Sequence, residues 1–278
     1  MKKEFYRYCI QADVKEGLIY LENIPEDKKN DELRELEADI KERFCSDKSE
    51  EDIDVEDDFL RDIIRCYRKY YREALMREFD KDECKERLED NLISVIRGNS
   101  IPIDDNSEID EIESIIKGEF EKRDYYYLGG VTPPLLGPYI WKTQTKKVYK
   151  VDVPSGTQEV TVYFLKDFVE RSWFYYATLG EKGTGGWAKE DALYCIYDAF
   201  KELIDKPQFK ISYLVHEAQH FADYQEFPEL ESNGLEYRAK LAEMIRSAGY
   251  EGYVYSLSST GYRGLLIILM FPMYMLIT

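Results

Sequence analysis

Histidine is nearly absent from this sequence, which has only two among its 278 residues. The five cysteines lie far apart, are odd in number and include no CxxC pair. This argues against a disulfide framework and against a thiolate metal site. The N-terminus also lacks the uninterrupted apolar core of a signal peptide. We therefore expect a protein of a reducing compartment, the cytoplasm.

Basic residues are also fewer than acidic residues. The chain has 38 basic and 56 acidic residues, for a net charge of −18. Its densest basic stretch, residues 61–77, is interleaved with acidic residues. Such a chain repels the phosphates of nucleic acids and the surface of anionic membranes. We therefore expect neither nucleic acid nor membrane as a partner.

Long apolar runs are missing except near the end of the chain. Residues Gly264 to Ile277 form an uncharged run of 14 residues, interrupted by Pro272. A membrane-spanning helix needs about 20 apolar residues, so this run is short for one. The pattern favours a buried final segment or the start of a truncated element, and a membrane-associated tail stays open as the alternative.

The chain changes in character near Asp124. Residues 1–124 contain 38 acidic and 23 basic residues, whereas residues 125–278 contain 18 and 15. We predict an acidic helical domain over 1–124, a second domain over 125–278, and an α+β fold. Apolar residues at helical spacing predict helices near residues 31–44, 59–75, 84–96 and 109–120.

The second half has turn signals and alternating stretches that predict strands, followed by the spacing of helices. Alternating residues on either side of a turn at 154–157 predict a hairpin over 147–165. Residues 173–179 fit either a helix or a strand, residues 183–187 a loop or an irregular edge, and residues 192–197 a strand. Helices are predicted over 210–225 and 235–247.

Both histidines belong to one motif. The sequence His216-Glu217-Ala218-Gln219-His220 lies in the first of these two helices and reads HExxH. Residues four apart share a helix face, so the two imidazoles can bind one Zn²⁺. Glu217 points aside by about a quarter turn, within reach of a metal-bound water. The alternative is a buried helix whose histidines only form hydrogen bonds.

This motif resembles that of the zincin metallopeptidases. The resemblance covers the motif helix and, more loosely, the preceding strands and the following helix, but not residues 1–124. It implies a mixed sheet beside the motif helix, with an extended peptide substrate along an edge strand. It also implies that zinc activates a water molecule and that Glu217 is the general base of peptide hydrolysis.

A catalytic zinc keeps three protein ligands and one open position, and no histidine remains for the third. A carboxylate is the natural substitute, which makes the site gluzincin-like. Gluzincins take this ligand from the helix that follows, so we favour Glu236, although a capping box or a surface pair with Lys240 would also explain it. Lys240 stands where the thermolysin-like pattern has an Asp. The other carboxylates considered are Asp223, Glu226, Glu229, Glu231 and Glu243, of which Asp223 needs a strained reach.

The oxyanion of the reaction needs a further donor, and no histidine is left to supply it. The candidates follow the second helix and are Tyr253, Tyr255 and Tyr262, with Tyr250 and Arg263 nearby in the sequence. The alternative for each tyrosine is a structural role with a buried ring. We expect the peptide to pair with residues 183–188, where Gly185, Gly186 and Trp187 are the candidate substrate-binding residues, or that segment to be a plain turn. The sequence thus predicts a zinc metallopeptidase; the alternative is a helical interaction protein with an inactive or structural zincin-like domain.

Overall fold

The computed structural model describes residues 1–46, 53–189 and 192–247, and it mixes helices with strands. The predicted α+β class is therefore confirmed. The tyrosines proposed as oxyanion donors and the apolar run Gly264 to Ile277 lie outside these residues. The described residues form two compact units: residues 1–142 with 168–183, and residues 143–167 with 184–247. The domain boundary near Asp124 stays a prediction, and the compact units divide at other residues.

The first unit is built mainly from helices. Their bounds are α1 Lys2–Ile10, α2 Val14–Glu22, α3 Asp31–Cys45, α4 Asp58–Leu75, α5 Lys81–Gly98, α6 Ile109–Glu121 and α7 Ser172–Ala177. Helices α3 to α6 match the predicted apolar stripes. Helices α1 and α2 were not predicted, and the ambiguous aromatic stretch is the helix α7.

Short polar side chains begin several of these helices. Asp13, Asn30, Asp57 and Asp80 each accept a hydrogen bond from the backbone amide three residues later, at 2.9–3.3 Å. Each bond satisfies an amide that has no partner within the helix. The buried faces then supply an aromatic core, in which Tyr67 and Tyr71 of α4 are completely buried.

The strands are β1 Tyr126–Leu128, β2 Val131–Thr132, β3 Leu135–Leu136, β4 Tyr139–Val153, β5 Gly156–Arg171, β6 Gly186–Ala188 and β7 Leu193–Ile196. β2 and β3 form a small sheet of their own, and the others follow the order β1–β4–β5–β7–β6. β7 runs parallel to β5 and antiparallel to β6, with Trp187 opposite Tyr194. β6 is thus an edge strand.

In the second unit the motif helix packs on the sheet. After α8 Tyr197–Phe200 and α9 Pro207–Phe209 come α10 His216–Glu226, which carries the motif, and α11 Ser232–Ser247. The core beneath α10 contains Val162, Leu193 and Ala218, all completely buried. The described helices include none with the length and apolarity needed to cross a membrane.

Candidate metal centre

The motif helix is preceded by one wide turn. Residues Lys210–Val215 form a π-helical turn that continues directly into α10. π-helical turns are rare in proteins, and those that occur often lie at functional sites. The turn buries Tyr213, Leu214 and Val215, so the chain enters α10 anchored in the core. His216, Glu217 and His220 follow and are themselves buried.

The two histidines of the chain meet through their Nε2 atoms. His216 Nε2 and His220 Nε2 lie 3.0 Å apart, and the rings are nearly perpendicular, at 89°. This is the arrangement expected for residues four apart on one helix face. Both nitrogens therefore face the same small volume.

Glu236 of α11 faces the same volume. Its Oε2 lies 3.5 Å from His216 Nε2 and its Oε1 lies 3.3 Å from His220 Nε2. Among the residues that the structure describes, His216, His220 and Glu236 form the one group of metal-ligand type whose atoms converge in this way. Glu236, the carboxylate favoured from the sequence, thus lies close to both Nε2 atoms.

The separations fit one tetrahedral ion. With bonds of about 2.0–2.2 Å, two ligand atoms of tetrahedral Zn²⁺ lie about 3.3–3.5 Å apart. The two Nε2 atoms lie 3.0 Å apart, and they lie 3.5 Å and 3.3 Å from the two different oxygens of the Glu236 carboxylate. Two imidazoles and a carboxylate are the donor set of several catalytic zinc sites, and a set of three leaves one position open. These residues therefore fit Zn²⁺.

The remaining carboxylates considered as ligands lie elsewhere. Glu226, Glu229 and Glu231 are exposed and do not belong to the convergent group. Asp223 is completely buried, and its Oδ1 accepts hydrogen bonds from Gln219 and Arg238. It joins α10 to α11 rather than facing the two Nε2 atoms.

Glu243 lies on the other side of the His216 ring. Its Oε1 is 2.7 Å from His216 Nδ1, and Lys240 Nζ donates to the same oxygen at 2.6 Å. Glu243 therefore does not belong to the convergent group but contacts one of its members, His216. Lys240 bonds to Glu243 instead of forming the surface pair with Glu236 that was considered from the sequence.

Charge around the two imidazoles favours a cation. Burial lowers the pKa of His220, but a hydrogen bond that its ring donates to Glu236 and the charge of Glu217 outweigh this effect and raise the pKa overall. For Glu236, burial raises the pKa, and the two histidines outweigh it and lower the pKa overall. Carboxylates that favour a positive charge on an imidazole also favour a metal ion at the same place.

Glu217 is buried, and its Oε2 has no hydrogen-bond partner among the described residues. Burial raises the pKa of its carboxyl, and the charges of the two imidazoles act against that shift. A buried carboxylate beside a metal centre, with a free oxygen, is suited to accept and return a proton.

The Gly-rich segment borders the motif helix. Strand β6 packs beside α10, and a Cβ on Gly186 would lie only 3.0 Å from the hydroxyl of Tyr213. Gly185 is used in the sheet, because its carbonyl accepts from the Ile196 amide. Trp187 is buried and stacks on Tyr194.

The outer edge of β6 is partly closed. The Thr184 hydroxyl bonds both the amide and the carbonyl of Gly186, at 3.2 and 2.8 Å. Gly186 itself is required by packing, since a Cβ there would collide with the Tyr194 carbonyl. A substrate strand would therefore have to replace the Thr184 hydroxyl as the partner of Gly186.

Two contacts of the centre were missed in the sequence. Tyr224 stacks on His220, with ring centroids 6.4 Å apart and an interplanar angle of 24°. Its place four residues after His220 is the signal that could have predicted this contact. The contact between Glu243 and His216 had a similar signal, since Glu243 lies two turns after Glu236 on α11.

Comparison with protein-family models, with curated proteins and with solved structures finds no match for this chain. Its function must therefore be inferred from the arrangement of its own residues.

Proposed function

We propose that this protein is a zinc-dependent metallopeptidase of the gluzincin type. The two Nε2 atoms of His216 and His220 lie 3.0 Å apart, and each lies within 3.5 Å of an oxygen of the Glu236 carboxylate, which supports the proposal. Glu217 beside this group adds a proton acceptor on the same helix. When bound, Zn²⁺ polarises the scissile carbonyl and makes a water molecule acidic enough to react near neutral pH.

The residues of the chain supply the other parts of the proposed mechanism. His216, His220 and Glu236 hold the ion and leave one position for water or substrate. Glu217 accepts a proton at its carboxylate and returns it to the leaving amine. An extended peptide would lie along β6, where Gly186 offers an amide and a carbonyl once Thr184 has been displaced.

Tyr253, Tyr255 and Tyr262 keep their proposed role as oxyanion donors. A cytoplasmic location also stays a proposal. All five cysteines lie within the described residues and form no disulfide with one another, which agrees with a reducing compartment.

Peptide hydrolysis by the zinc-loaded chain tests the proposal. A peptide library of mixed sequence, read by mass spectrometry, should show cleavage that a chelator stops and added zinc restores. Glu217→Gln is the matched control, because it keeps the size of the side chain and removes the proton acceptor. We expect it to lose about 10²- to 10⁴-fold in rate and to keep its zinc. Equal cleavage by the variant would contradict the assignment.

One observation favours the alternative function. His216, Glu217 and His220 are 2 %, 4 % and 7 % exposed, so the described residues leave little access to the centre. A buried ion would then hold α10 and α11 together, in a protein that acts through its helical region. Zinc that stabilises the chain without any cleavage of the library would support this alternative.

A further inference from the structure

Helix α11 presents two carboxylates to one imidazole. Glu236 and Glu243 lie two turns apart, and the buried Ala239 lies between them. Glu236 approaches Nε2 of His216 at 3.5 Å, and Glu243 approaches Nδ1 of the same ring at 2.7 Å. Both nitrogens of His216 therefore face carboxylates of the same helix.

The contact with Glu243 determines which ring nitrogen carries the proton. An ionised carboxylate only accepts hydrogen bonds, so the short contact requires a proton on His216 Nδ1. The tautomer with its proton on Nδ1 has a bare Nε2, the atom that faces His220 and Glu236. A ring of this tautomer is ready to bind a metal through Nε2.

Lys240 fixes Glu243 in turn. Its ammonium donates at 2.6 Å to Oε1, the oxygen that also contacts His216. Glu243 is buried and Lys240 is half-buried, so the ion pair is only partly screened by water. A free glutamate side chain has several rotamers, and an ion pair three residues back on the helix selects one of them.

We propose that Lys240 and Glu243 form a two-residue brace that positions His216 for the metal. The proposal rests on the proposed zinc site, and it assigns positioning roles rather than catalytic ones. Lys240 is then part of the centre although it contacts neither the ion nor a ligand of it. Its charge also offsets one of the three carboxylates around the two histidines.

Zinc affinity of the full chain, measured by competition with a chromophoric chelator, tests the brace. Glu243→Ala should bind zinc about 10- to 100-fold more weakly than the wild-type chain, because its His216 ring is no longer held. Glu243→Gln keeps an acceptor oxygen and should stay within about threefold of wild type. Glu229→Ala, at an exposed position, is the matched control and should leave the affinity unchanged.

A double-mutant cycle tests the part played by Lys240. Lys240→Met should weaken zinc binding several-fold in the wild-type chain and have no effect in the Glu243→Ala chain, because Lys240 acts through Glu243. Equal effects in both chains would show that Lys240 acts independently of Glu243, and would overturn the brace.

The protonation of His216 is the signature that a merely structural role would not produce. With only two histidines, nitrogen NMR of the metal-free chain gives two imidazole signal sets, which His220→Gln assigns. We expect His216 Nδ1 to be protonated in the wild-type chain and partly bare in Glu243→Ala. A bare Nδ1 in the wild-type chain, or an unchanged ring in Glu243→Ala, would overturn the brace. If the wild-type chain binds no zinc, the proposed function fails instead.

Discussion

Arg238→Met removes the ion pair that ties α11 to α10. Arg238 contacts the completely buried Asp223 through Nε at 3.0 Å and through Nη2 at 2.9 Å. The one other donor to this carboxylate that the structure shows is Gln219, at 2.8 Å. Without the guanidinium, a buried negative charge keeps a single amide donor.

The burial of Arg238 and Asp223 determines how much stability the substitution removes. Removing one partner of a buried ion pair costs about 3–5 kcal/mol. The Arg238 side chain is 36 % exposed, so water replaces part of its interaction with Asp223 once it is removed. We therefore expect the lower end of this range, a loss of about 3 kcal/mol in the free energy of unfolding. Zinc affinity should fall as well, because Glu236 lies on the same helix.

Urea unfolding of the metal-free chain measures this loss. Arg246→Met, at an exposed position of α11, is the matched control and should cost less than about 1 kcal/mol. Asp223→Asn combined with Arg238→Met should recover part of the loss, because a neutral amide needs no counter-charge. The reasoning is refuted if Arg238→Met equals its control, or if the double variant is no more stable than Arg238→Met alone.

Two further predictions concern the packing of each unit. Glu113 is buried and accepts hydrogen bonds from Tyr67 and Tyr127, and burial raises the pKa of its carboxyl above 4.5. The folded chain therefore holds this proton more tightly than the unfolded chain. The free energy of unfolding should fall by up to about 1.4 kcal/mol per pH unit as pH rises above that value. Urea unfolding across pH should show a shallower decline in Glu113→Gln, and an identical decline would contradict this. Gly186→Ala should lower the melting temperature by pushing β6 from β7, whereas Gly118→Ala, in open space on α6, should raise it.

Periodicity was sufficient to predict the longer helices and the hairpin. The spacing of the apolar residues in α4 predicts a helix and its buried face, and Asp57 before it supplies the N-terminal cap. The local sequence is therefore enough to define that helix. Helices α1 and α2 are only nine residues each, which gives a stripe too short to stand out. The two compact units were not predictable, because the long strands β4 and β5 pass through both of them.

The group of His216, His220 and Glu236 was largely predictable, and its surroundings were not. The HExxH spacing places two imidazoles on one helix face, and the absence of a third histidine points to a carboxylate. The choice of Glu236 over Glu243 depends on how α11 packs against α10, a tertiary feature without a local signal. The hydroxyl of Thr184 on the edge of β6 likewise depends on a loop conformation that composition does not specify.

The metal content of the purified full-length chain tests the central claim most directly. After zinc loading and removal of free metal, elemental analysis should find about one zinc per wild-type chain, because three protein ligands hold a single ion. His216→Ala should lose most of this zinc, while Glu231→Ala, at an exposed position, should retain it. A wild-type chain without stoichiometric zinc, or a His216→Ala chain that keeps it, would contradict the account.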